Sequence, residues 1–144
     1  MKTVTHTLGA RTISRNAFIA AIALLVAAAG ATLAAANRFA VVGIENGTHV
    51  TIRLQHKWGD GTWMTDVLRP GGRKWFWHEY SRANENRSPK FHVRFDSDLN
   101  PGDVFHINYA LEKRAAPAHD WEDANKYVFR YDGNRKYIDL VKVP

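Results

Sequence analysis

The chain has 144 residues, 45% of them hydrophobic, with five Trp, five Tyr, seven Phe and no Cys. Twenty basic against 14 acidic residues give a net charge of +6. The length is that of one domain, and the lack of cysteine excludes disulfides, a thiol nucleophile and a lipidated cysteine anchor.

The first 36 residues stand apart from the rest. Met1 to Asn16 carries Lys2, Arg11 and Arg15 and no acidic residue, and Ala17 to Ala36 carries no charge at all. A basic start, an apolar middle and the small residues Ala34, Ala35 and Ala36 are the parts of a secretory signal peptide. The alanine-rich segment is only moderately hydrophobic, which favours cleavage after Ala36. Its length also suits an uncleaved helical anchor, for which roughly 20 residues suffice. Ser14–Ile19 is similar to a twin-arginine export motif, but Asn16 stands where the second arginine belongs. The expected organisation is therefore a signal peptide or membrane anchor over 1–36 and an extracytoplasmic domain over 37–144, secreted or periplasmic, or held outside the cytoplasm by the anchor. Without the three cations of the export segment, residues 37–144 hold 17 basic and 14 acidic residues, net +3. That balance argues against nucleic acid as a partner.

From Arg38 onward, alternation with a period of two dominates and turn residues punctuate it. Phe39 to Ile44 is a short apolar run, and Asn46-Gly47 suits the positive φ angles of a tight hairpin. Val50, Ile52, Leu54, His56 and Trp58 form one face of the clearest strand, with Thr51, Arg53, Gln55 and Lys57 on the other. Asp60-Gly61 leads into Trp63–Leu68, and Pro70-Gly71-Gly72 into Lys74–Tyr80. After a polar loop, Phe91, Val93 and Phe95 alternate with Lys90, His92 and Arg94. Val104 to Lys113 is a further strand, and Pro117 with the residues after it suits one helical turn. Tyr127–Tyr131, Asp132-Gly133-Asn134 and Lys136–Val143 form a closing hairpin. About eight short antiparallel strands predict an all-β domain, a small β-sandwich or barrel, behind a helical export segment.

Four constellations carry candidate chemistry. In Trp75-Phe76-Trp77-His78 the two Trp share one strand face. Large aromatics are mostly buried, so Trp75 and Trp77 are expected in the core. Displayed instead, they would form a sugar-stacking platform that Trp58 and Trp63 would extend. Asp96, Asp98, Asn100 and Asp103 are candidate oxygen ligands for Ca²⁺. Pro101 at the sixth place and Ile107 at the twelfth break the helix–loop–helix calcium pattern, so a plain turn is the expected reading. The six histidines from His49 to His119 form no H-x-H pair; His56 and His78 fall on faces expected to be buried. Ser81, Ser88 and Ser97 lie in loops, outside any G-x-S-x-G elbow. Asn46-Gly47-Thr48 is a glycosylation sequon that matters only in a eukaryotic host.

Catalytic residues and a cofactor are accordingly not expected. The expectation is a non-enzymatic binding or structural module of the cell envelope or extracellular space. Its partner would be a polysaccharide or another envelope protein, and it would meet membrane only through an uncleaved anchor. Carbohydrate binding through exposed Trp residues, or a small metal-dependent enzyme assembled across strands, are the alternatives.

Overall fold

The computed structural model describes residues 34–98 and 104–144; of the segment 1–36 expected to be a signal peptide or anchor, residues 1–33 lie outside them. Nine strands and no helix make up the described part. They are β1 (Phe39–Asn46), β2 (Ile52–Trp58), β3 (Met64–Leu68), β4 (Arg73–Glu79), β5 (Phe91–Phe95), β6 (Ile107–Leu111), β7 (Arg114–Ala116), β8 (Asn125–Tyr131) and β9 (Ile138–Lys142). One sheet runs β4-β1-β8-β9 with β7 also on β1, and the other runs β3-β2-β5-β6. The architecture is that of a β-sandwich.

Alternating burial explains why these segments pair as they do. In β2, Ile52, Leu54 and His56 are buried and Arg53 is exposed; in β5, Phe91, Val93 and Phe95 are fully buried. These side chains meet Val42, Ile44, Phe76, Phe129 and Leu140 of the first sheet in one core, the usual way two half-apolar sheets hide their inner faces. The Phe95 and Phe129 rings meet edge to face, with centroids 5.0 Å apart.

Strand β1 is buried on both faces, a pattern that suits a strand covered from two sides. Its outward Val41 packs with Ala116 and Ala124, and with Phe39 beside them, beneath residues 117–124. This segment forms turns rather than the expected helical turn, and it crosses the sheet as a strap. Gly43 has no side chain for a steric reason: a Cβ there would stand 2.7 Å from Cζ3 of Trp121. The Trp121 ring is flanked by the cations of Arg73 and Lys126.

Two expectations are corrected. The strands are not all antiparallel, because β1 and β8 pair in parallel, Val42 opposite Asn125. Asn46-Gly47 does not close a hairpin: β1 and β2 belong to different sheets, and the dipeptide opens the crossing between them. Nor is Asn46 available to a glycan in the folded domain. It is fully buried and its Nδ2 donates to the carbonyls of Val50 (2.7 Å) and Leu68 (2.9 Å). The hairpins expected at Asp60-Gly61 and Asp132-Gly133-Asn134 do form, joining β2 to β3 and β8 to β9.

Candidate functional site

Both β3 and β4 are edge strands, one in each sheet, and a cross-sheet cluster joins them. On β2, His56 points inward opposite Met64. Its Nε2 lies 2.8 Å from Oδ2 of Asp66 on β3, and the other Asp66 oxygen accepts from Nζ of Lys74 on β4. The His56 ring is 4% exposed and lies against Phe76, centroids 4.2 Å apart. Among the described residues, its Nδ1 is the buried side-chain atom left without a hydrogen-bond partner.

These groups fix the state of the imidazole. Burial lowers its pKa below the ordinary histidine value, outweighing the nearby Asp66 carboxylate, while the Lys74 ammonium adds to the lowering. The neutral ring carries its hydrogen on Nε2, donated to Asp66, and Nδ1 keeps a lone pair that can accept. Because the folded pKa is depressed, His56 contributes stability above the unfolded value near 6.5, and that contribution is lost as pH falls toward the folded value. The melting temperature is therefore expected to drop between pH 7.5 and 5 more steeply for the parent than for His56→Gln. Parallel pH profiles would overturn this assignment.

A cleft of about 220 Å³ opens at this edge, lined by His56, Trp58, Met64, Trp75, Phe76 and Trp77. Trp58 packs on Phe91 (4.8 Å between centroids) and lies near His78 (5.6 Å). Trp75 and Trp77 are not core residues, contrary to expectation: they are 40% and 47% exposed. The cause is topological. Phe76 takes the inward position of β4, and the strap that covers β1 meets β4 through Trp121 at Arg73 and, beside the indoles, through His119. That residue holds both indoles: its ring stacks on Trp77 at 4.5 Å and 19°, and its carbonyl accepts from Trp75 Nε1 at 2.9 Å. Met64, 52% exposed, adds to the apolar lining. A larger hollow of about 580 Å³ lies within the 81–87 loop, but its lining is that one loop and no aromatic ring faces it.

The sequence matches no protein-family model, no curated protein and no solved structure.

The cleft brings together Trp58, Trp75 and Trp77 but not Trp63. That ring sits apart, with Arg94 4.2 Å and Lys57 5.1 Å from its centroid. Of the candidate calcium ligands, Asn100 and Asp103 lie outside the described residues. Asp96 accepts from the backbone amides of Asp98 (3.3 Å) and Val104 (3.1 Å), tying the loop ends together. Among the described residues no three His, Asp or Glu side chains gather as metal ligands, and no helix is long and apolar enough to cross a membrane.

Ser97 Oγ stands 2.8 Å from His106 Nε2, an arrangement with the outline of a nucleophile and base. His106 Nδ1 is spent on the Val104 carbonyl at 2.7 Å, and Asp96 lies 3.6 Å away. Together these contacts link Ser97 and Asp96 on one side of the loop to Val104 and His106 on the other. Sequence reasoning missed Asp66, Lys74 and His119. The first two left one signal: Asp66 stands at an inward register position of β3 and so needs a buried partner.

Proposed function

We infer that the domain is a non-enzymatic, exported binding module that takes a sugar ring of a polysaccharide in the cleft between β3 and β4. One observation carries the reading: Trp58, Trp75 and Trp77 line one shallow cleft, with two of the three indoles widely exposed. Contiguous exposed aromatics mark an interaction site rather than a stability device. Indole faces suit the C–H faces of a pyranose ring. Rigid indoles also lose little entropy on binding, and the His119 contacts already hold Trp75 and Trp77 in place.

The test is Trp77→Ala in the full chain, measured by depletion onto neutral polysaccharides. Stability should stay within about 1 kcal/mol of the parent, as for other exposed positions, while binding falls roughly tenfold or more. Unchanged binding, or a parent that retains no neutral polysaccharide, would sink the reading. Export makes a separate demand: mature protein from the native host should begin at Asn37, or remain intact in the membrane fraction. An intact Met1 in the soluble cytoplasm would count against a role outside the cell.

A further inference from the structure

The two sheets differ in charge. Strands β2, β3, β5 and β6 contain a single carboxylate, Asp66, and it is turned inward onto His56 and Lys74. The outward positions form rows across the sheet. Thr65, Gln55, Arg94 and Asn108 stand side by side on β3, β2, β5 and β6, and Lys57, His92 and Ala110 form the next row. Arg53 shares this face, opposite Val67. The result is a cationic strip with hydroxyl and amide groups set between its charges and no acidic side chain at its outward strand positions.

Arg94 is held in place within it. Its Nε donates to Gln55 Oε1 at 2.7 Å, and Gln55 is itself fixed by donating from Nε2 to Thr65 Oγ1 at 3.0 Å. The guanidinium carbon lies 4.2 Å from the Trp63 ring centroid and 5.8 Å from that of Phe105. Ring contact and hydrogen bond together fix the guanidinium, yet among the described residues its terminal Nη groups meet no acceptor and no carboxylate pairs with it. Lys57 likewise leans on Trp63 with no ion pair among the described residues. A planar fork pre-oriented in this way suits bidentate binding of a carboxylate.

We propose that the outer face of the β3-β2-β5-β6 sheet binds an acidic polysaccharide. A uronate carboxylate is taken by Arg94, with Lys57 and His92 beside it and sugar hydroxyls on Gln55, Thr65 and Asn108. The neutral hydrogen-bonding row is what selects a glycan over other polyanions. A single-stranded nucleic acid would want aromatic faces on which to stack its bases, and here Arg94 and Lys57 already occupy Trp63. This face is distinct from the cleft between β3 and β4, and the proposal stands without the cleft reading.

The experiment is titration of the full chain with polygalacturonate at low ionic strength, followed as salt is raised. Loss of a bidentate, charge-assisted contact should weaken binding roughly tenfold or more in Arg94→Gln. Arg94→Lys should recover little, because it restores the charge without the fork, and Lys57→Gln should weaken binding by a smaller factor. Lys136→Gln, an exposed cation between β8 and β9 of the other sheet, should bind polygalacturonate like the parent, which separates a local contact from overall charge. Melting curves of each variant confirm that it is folded. The proposal is overturned if polygalacturonate does not bind, or if Arg94→Gln, folded, binds as the parent does. It is also overturned if an oligothymidylate, or vesicles of phosphatidylcholine with phosphatidylglycerol, bind more tightly than polygalacturonate at equal charge.

Discussion

Asn46→Ala is expected to destabilise the domain by about 3–5 kcal/mol, because several buried groups lose their partners at once. The Asn46 side chain accepts at Oδ1 from the Thr48 amide (2.9 Å) and hydroxyl (2.7 Å), while Nδ2 donates to the Val50 and Leu68 carbonyls. Its backbone adds two bonds to the other crossing: Asn46 N donates to Gly72 O at 2.9 Å, and Gly71 N to Asn46 O at 2.8 Å. Asn46 thus ties together two of the four connections that pass from one sheet to the other, β1 to β2 and β3 to β4. Alanine keeps the backbone bonds but takes the Asn46 amide donor from the Leu68 and Val50 carbonyls, and removes the acceptor of Thr48. Such a loss is a large share of the roughly 5–15 kcal/mol that holds a small domain together. Urea denaturation checks it: the midpoint should fall sharply with the slope unchanged. Thr48→Ala, which removes one donor from the same knot, should cost about 1 kcal/mol. Equal and small effects from the two variants would show that the knot is not structural.

Local patterning made the second sheet readable before its coordinates. The alternation through Val50–Trp58 and Lys90–Phe95 identified Ile52, Leu54, His56, Phe91, Val93 and Phe95 as inward, and all six are buried, with Leu68 and Leu111 beside them. Hairpin neighbours are close in sequence, so turn residues suffice to pair β2 with β3 and β8 with β9. What stayed hidden depends on long-range pairing. The parallel partner of β1 is β8, some eighty residues on, and nothing local in Phe39–Ile44 announces it. That pairing puts β1 inside its sheet and leaves β4 at the edge, which decides the fate of the tryptophans. A strand apolar on both faces reads as central, yet the covered strand is β1, under the strap, while β4 displays its indoles. The convergence of Trp58 with Trp75 and Trp77 is a meeting of two sheets, and period-two patterns carry no information about which edges face each other. Asn46-Gly47 misleads for a related reason. An Asn side chain that caps a sheet crossing from inside leaves the same dipeptide as one in a hairpin turn.

Phe91→Ala should lower stability by about 3–5 kcal/mol, the range for emptying a buried phenylalanine site. Phe91 is fully buried at the centre of an aromatic cluster, with ring centroids of Trp58 at 4.8 Å, Phe76 at 5.1 Å and His56 at 5.9 Å. Three of the cleft's lining residues therefore rest on it, while Phe91 is itself absent from that lining. Alanine would leave a void that three stiff rings cannot close without moving, so the cost should fall near the upper end. Phe91→Leu, which keeps much of the volume, should cost markedly less. A loss below about 1.5 kcal/mol for alanine in a denaturant titration would mean that the rings repack freely, and the cleft would then have no fixed floor. The contrast with the exposed indole is what tests the architecture. Phe91→Ala should lose stability and sugar binding together because it removes the support, whereas Trp77→Ala should lose binding with the fold intact because it removes only the contact.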